Sequence, residues 1–274
     1  MNKKRHGVFF RLYPMLILFF LYAPMLVMIR VSFNEENSTS KISGFSLHWY
    51  RELISTPEAM AALQNTLVLA VLSSLCAMVL GTAAAVGIDA MRRKWAQSVV
   101  LSVTNLPLMN PEIVTGISMM LLFVFLGQLL GRQESLGFGT MLLAHVTFCL
   151  PYVILSVLPK LRQTDPHLAE AARDLGCSPW GAFWRAVLPS ILSGVVSGLL
   201  MSFTLSLDDF VISCFVSGRV QTLPIYIYSM TKRRVKPSMY ALSVLVFAAI
   251  FLLLIAYNVL QARADKKQKK AYRP

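Results

Sequence analysis

Residues 165–189 read DPHLAEAARDLGCSPWGAFWRAVLP, a charged, helix-forming stretch set between two long apolar runs. Asp165-Pro166 is a helix start, because aspartate accepts from exposed N–H groups and proline fits the first helical position. A helix is predicted over His167–Leu175, and Gly176 supplies a residue that tolerates a left-handed stop. Ser178-Pro179 repeats the start signal and predicts a second short helix over Trp180–Val187, with Leu188-Pro189 leading into the next run. Leu168, Ala171, Ala172 and Leu175 recur at helical period, so one face is small and apolar. Trp180, Phe183 and Trp184 are aromatic anchors of the kind enriched at interfaces. An amphipathic loop lying on a bilayer has the same composition.

The flanking runs set the class. The chain is 56% hydrophobic and only 14% charged, where a soluble domain is about a quarter charged. A helix needs roughly 20 apolar residues to cross the hydrocarbon core. Six runs qualify, at about 12–33, 62–88, 99–127, 139–159, 189–214 and 239–261. The first follows Lys3, Lys4, Arg5 and Arg11. It is too long for a signal-peptide core and has no small-residue cleavage site after it, so it reads as a retained span. The third contains Pro107 and Pro111 beside Asn105, Asn110 and Glu112. Proline removes a backbone donor, so a break is expected near 105–111, facing a partner or a pathway. The other reading is an interfacial break before a span that starts at Glu112.

The net charge of +13 sits mostly at segment ends, which is a topology signal. Most Lys and Arg fall on the side of the N-terminus, in 1–11, 92–94, 160–185 and the basic tail 262–274, which places both termini in the cytoplasm. Thr231 to Lys236, TKRRVK, is the exception in an outer loop. The basic residues form no soluble face, so nucleic-acid binding is excluded. Cys76, Cys149, Cys177 and Cys214 form no CxxC, and His6, His48, His145 and His167 are scattered, so no disulfide framework or metal site is expected. No GxxxxGK[ST] phosphate loop occurs.

The stretch at 170–189 resembles the EAA motif of ABC-importer permeases, E-A-A-x3-G-x9-I-x-L-P. Glu170, Ala171, Ala172, Gly176, Leu188 and Pro189 match in register, and Ala186 departs at the Ile position. The resemblance implies an all-α, polytopic membrane protein with six transmembrane helices, of the type I ABC importer permease kind. A permease domain would cover 12–261, with a coupling hairpin at 165–189 that docks in a groove of the ATPase. AHVTFCLPYVILSVLPKLRQTDPHLAEAARDLG, FTLSLDDFVISCFVSG, TLPIYIYSM, YAPMLVMIRVSFN and NPEIVTGISMMLL are similar to the second permease subunit of bacterial spermidine/putrescine ABC importers. That likeness implies partners: an ABC ATPase dimer carrying ATP and magnesium, a second homologous permease, and an extracytoplasmic polyamine-binding protein. The chain itself would be a non-enzymatic subunit of the inner membrane without a cofactor.

Asp208 and Asp209 fit a cationic solute. A carboxylate in a span is costly and is a functional-site candidate by default. Asp208 lies about 28 Å beyond Pro189 along a straight helix, near the outer mouth. Adjacent helical residues point about 100° apart, so at most one faces a pathway squarely. Tyr226 and Tyr228 could add cation–π contacts, and Glu112 is a further pathway candidate. Alternatively the pair caps the end of the span or meets Arg219 or Lys232, and Glu112 is a helix N-terminal charge. A permease of the same build for an iron chelate, thiamine or a phosphonate is the nearest rival; the two aspartates disfavour an anion. A membrane enzyme lacks a catalytic constellation here, and a self-sufficient channel or carrier would have no use for the hairpin.

Overall fold

The computed structural model describes residues 3–36, 44–131, 135–232, 238–252 and 254–255, and every regular element among them is helical. The basic tail and most of the TKRRVK loop lie outside the described residues. The chain divides into two units, Met1–Met60 with Ile227–Pro274, and Ala61–Tyr226.

The first unit contains α1 (Lys3–Ser32), α2 (His48–Ser55) and an apolar helix near the other end of the chain, α12 (Ser238–Leu252). Helix α1 is long and apolar enough to span, and none of its apolar window is buried. Its end is tied to α2. The Trp49 indole N–H donates to the Asn34 carbonyl at 2.6 Å, Tyr50 and Ser32 hydroxyls meet at 2.9 Å, and Phe33 stacks on Phe45 at 5.0 Å.

The second unit holds the site. Its elements are α3 (Pro57–Asp89, whose first turn belongs to the other unit), α4 (Lys94–Met109), α5 (Glu112–Leu129), α6 (Phe138–Gln163), α7 (Leu168–Asp174), α8 (Pro179–Ala182), a π turn at Phe183–Val187, α9 (Leu188–Asp208), α10 (Val211–Val216) and α11 (Leu223–Thr231), which ends in the first unit. Across the described residues five helices are long and apolar enough to cross a membrane; the expected sixth span, 239–261, begins in α12 and continues beyond them.

Lipid tails are as apolar as leucine, so helices associate in a bilayer through close packing and hydrogen bonds. The closest pair is α6 with α9. Gly194, Gly198, Ser202 and Ser206 form a ribbon of small residues four apart on α9. A Cβ at Gly194 would stand 2.8 Å from the Ser156 carbonyl oxygen, and one at Gly198 would stand 3.1 Å from Val153 Cα. The two backbones therefore nearly touch, and the Cys149 thiol lies 3.5 Å from the Ser202 carbonyl. Around this seam are two buried clusters. Ala77, Ala85, Ile88, Val153, Val157 and Ile191 pack toward the hairpin end. Leu69, Met141, Ala144, Ile212 and Val216 pack toward the opposite end.

Two spans are interrupted. The third run breaks at Asn110-Pro111, inside the expected window, because a residue before proline is pushed out of the helical region; Asn110 and Pro111 have ψ of 140° and 134°. The fifth run, expected to continue to 214, ends at Asp208 instead. Asp209 is extended and the chain starts a new short helix, α10. No proline or glycine marks that break. An aspartate side chain competes with the helix for its own backbone donors, and Asp209 does so here.

Gly194→Leu and Gly198→Leu are each expected to cost at least about 1–3 kcal/mol through overpacking. Gly87→Ala, at a position with open space around it, should be neutral or stabilising by about 1 kcal/mol. Apparent melting temperatures of the purified membrane protein check both; equal values for all three variants would contradict the close seam.

Candidate functional site

Two regions carry chemistry. The first is the hairpin between α6 and α9. The Asp165 carboxylate accepts the His167 N–H at 2.9 Å, closing the turn that starts α7. The helix stops by a Schellman pattern: Gly176 N–H donates to the Arg173 carbonyl at 2.9 Å and Cys177 N–H to the Ala172 carbonyl at 3.1 Å. This puts Gly176 at φ +89°, as its left-handed role requires. Ser178 then caps α8, accepting the Gly181 N–H at 3.1 Å, with Pro179 at the first position.

The second hairpin helix differs from the expected separate Trp180–Val187 piece. It runs on into the span as Pro179–Asp208 through the π turn. Pro189 explains this. Proline cannot donate to the carbonyl four residues back and its ring crowds that carbonyl, and a π turn opens the ladder just before it, with Leu188 N–H reaching the Phe183 carbonyl.

Glu170, Ala171 and Gly176 are exposed, Ala172 and Leu188 half-buried, and Pro189 exposed. Large apolar side chains stand out into the surroundings: Leu175 is 88% exposed, Trp180 72% and Trp184 59%. Phe183 fixes the two tryptophans edge-on at 6.3 and 5.8 Å. A knob with this much uncovered apolar area and an ordered aromatic row marks an interaction surface, for a protein groove or for the bilayer. The Glu170 carboxylate is 2.9 Å from His167 Nδ1. That hydrogen bond, its charge, and Asp165 hold the imidazole above its ordinary value of 6.5.

The second region is the meeting of the two helix breaks. A cavity of about 190 Å³ is lined by Asn110, Glu112, Thr115, Phe148, Tyr152, Asp208, Asp209 and Phe210, among others. It draws from the α4–α5 break, from α6 and from the α9–α10 break. Irregular backbone is tolerated at membrane depth where it lines a cavity. Glu112 and Asp208, candidates far apart in sequence, are thus brought together.

Asp208 and Asp209 part company. Asp208 is exposed and has no hydrogen-bond or ion-pair partner among the described residues. Asp209 turns inward, its side chain 4% exposed. Its two oxygens accept the Ile212 and Ser213 N–H groups at 3.3 and 2.7 Å, capping α10. It does cap a helix, but its ionisable neighbour is His145, at 3.4 Å, rather than Arg219 or Lys232. His145 is fully buried on α6. Its Nδ1 is 2.7 Å from the Ser206 hydroxyl and its Nε2 is 2.9 Å from the Ser213 hydroxyl. Sequence reasoning passed over His145 because it fits no metal spacing; the available signal was an ionisable residue inside an apolar run. Tyr226 lies in α11 and does not line the cavity. Tyr228 belongs to the first unit, where Lys232 Nζ stands 4.8 Å from its ring centroid.

Residues 77–269 match the model of a family described as binding-protein-dependent transport system inner membrane component. The chain is 38% identical over 250 residues to the putrescine transport system permease protein PotI of Escherichia coli strain K12, covering 91% of this chain and 89% of that one. It is 35% identical over 242 residues to the spermidine/putrescine transport system permease protein PotC of the same strain, covering 88% and 89%. In fold it is similar to a chain of a bacterial ABC transporter that imports the acidic polysaccharide alginate, with a TM-score of 0.75 at 16% identity, covering 95% and 96%.

The His167 pair is a charged-form contact. It is complete below pH about 6.5 and is lost as pH rises through the raised folded-state value, so the sign is stabilising on the acid side. Histidine NMR titration should place the His167 midpoint above that of Glu170→Gln, where it falls back toward the ordinary value. Equal midpoints would remove Glu170 as the cause.

Proposed function

We propose a function on one premise: the chain belongs to the family of binding-protein-dependent transport system inner membrane components. It forms half of the translocation pathway of an ATP-driven importer in a bacterial inner membrane, with both termini in the cytoplasm, and its solute is a polyamine of the putrescine/spermidine class. A second, homologous permease completes the pathway, and an extracytoplasmic polyamine-binding protein delivers the solute. The ATPase dimer holds the ATP and magnesium, and this chain catalyses no reaction.

The observation that carries the solute class is the cavity itself. Glu112 and Asp208 share it with the helix-capping Asp209, the rings of Phe148, Tyr152 and Phe210 and the amide of Asn110. A primary ammonium wants an anionic acceptor, a neutral oxygen and a π face. An anionic solute would meet repulsion from both acids. The likeness to permeases named for putrescine and spermidine supports the same class. Tyr226 and Tyr228 are proposed to offer ring faces elsewhere along the path; Tyr228 already faces an ammonium, that of Lys232.

Transport is driven through the hairpin. Leu175, Trp180 and Trp184 enter the ATPase groove, and closure of that dimer moves the knob. Glu170, Ala171, Ala172 and Gly176 set its shape, while Leu188 and Pro189 fix where it joins α9. Because no Cβ clash awaits at Gly176, a larger residue there costs only about 1–2 kcal/mol of backbone strain but reshapes the docking surface.

Cells lacking this chain should lose uptake of labelled putrescine or spermidine and regain it when the chain is restored. Asp208→Asn should raise KM for putrescine by about tenfold, the loss of one charge-assisted contact. Gly176→Arg should abolish uptake and ATPase association while the protein remains in the membrane. Restored cells that import neither polyamine would end the solute assignment, and normal ATPase binding by Gly176→Arg would end the hairpin assignment.

A further inference from the structure

A buried chain of hydrogen bonds behind the cavity surrounds His145. Ser73 on α3 donates its hydroxyl to the Ala70 carbonyl at 3.3 Å. A hydroxyl has one proton to give, so in the 2.8 Å contact of Ser73 with Ser206 the donor is Ser206. Ser206 has then spent its proton and accepts from His145 Nδ1 across 2.7 Å. On the other side of the ring, Nε2 stands 3.4 Å from an Asp209 carboxylate oxygen, an acceptor with nothing to donate. The Ser213 hydroxyl is 2.9 Å from Nε2 and also hydrogen-bonds the Asp209 carboxylate; with its one proton given to the carboxylate it is an acceptor for Nε2–H. On this assignment both ring nitrogens carry protons.

We propose that His145 is the positioning residue of the cavity, a buried imidazolium that neutralises Asp209 and locks the α9–α10 break. The lock joins four helices: Ser73 from α3, His145 from α6, Ser206 from α9, and Asp209 with Ser213 at the head of α10. Both aspartates line the cavity, but Asp209 does so as a helix cap with its two oxygens engaged, and Asp208 is left as the aspartate of the pair without such an engagement. His145 touches no solute itself; it acts through Asp209 and the break. A buried charge left without its partner is strongly destabilising, whereas removing both members together is far less so. That asymmetry separates an ion pair from ordinary packing.

The test uses the whole transporter with its partner subunits in lipid nanodiscs, with ¹⁵N-labelled histidine. The imidazole signal missing from a His145→Gln sample is that of His145. At neutral pH both of its nitrogens are expected to be protonated; one unprotonated nitrogen would overturn the proposal. This arm needs no solute. The kinetic arm rests on the polyamine reading and uses putrescine uptake in vesicles. His145→Ala is expected to raise KM by about tenfold with Vmax within about twofold. His145→Gln, which keeps one donor, and the double variant His145→Ala/Asp209→Asn should each recover most of that loss. A defect confined to Vmax, or a double variant no better than the single, would overturn the proposal. If His145→Ala does not reach the membrane, the imidazole spectrum and the His145→Gln kinetics decide. Wild-type vesicles that import no putrescine would refute the solute assignment and leave the spectrum to judge His145.

Discussion

In hydrocarbon a backbone N–H has no water to turn to, and each one left free costs several kcal/mol. The break after Asp208 creates such donors at the start of α10. Asp209 meets two of them, and from that single act the rest follows. A carboxylate brought into a span needs a counter-charge, which His145 supplies. The imidazole in turn needs acceptors, which Ser206 and Ser213 supply. Ser206 leans on Ser73, so the satisfaction of two backbone donors ends by binding α3, α6, α9 and α10 into one block. The outward consequence is the cavity: the chain turns aside at the break, and Asp208, the last residue of α9, lines the same cavity as Glu112.

The hairpin solves the opposite problem. It lies beyond the apolar runs and is built wholly from local devices: an aspartate-closed turn, a glycine in left-handed backbone, a serine cap and a proline start. Such pieces hold a shape with little core. The apolar side chains they display are correspondingly uncovered. What ties the knob to the membrane part is the π turn before Pro189, which lets one helix run from the hairpin to the break without a joint.

These two regions were legible in the sequence to different degrees, and the reason is range. Caps, glycine stops and proline starts act over three or four residues, so Asp165, Gly176 and Ser178 declared their roles in order. The Asn110-Pro111 break declared itself for the same reason. The break at Asp208 did not, because it needs neither proline nor glycine, only a carboxylate that finds a partner on another helix. Ser206 and Ser213 lie 61 and 68 residues from His145 along the chain. No window of sequence contains that constellation. The ribbon Gly194, Gly198, Ser202, Ser206, at a spacing of four, went unread in the sequence and marks the face that α6 covers. The inward turn of Asp209 was half legible: two adjacent acids cannot share one direction, but which of them turns is settled by His145.

The seam between α6 and α9 has a mechanical consequence. With backbone close against backbone at Gly194 and Gly198, sliding of the two helices is opposed and they form a single stiff beam, about 30 Å long on α9's 21 residues. One end of the beam carries the knob and the other carries the acids. A beam that tilts about a point near its middle swings its ends in opposite senses by similar amounts. Pulling the knob one way would thus displace the acids the other way at once, like a see-saw, with no relay of side-chain rearrangements needed in between.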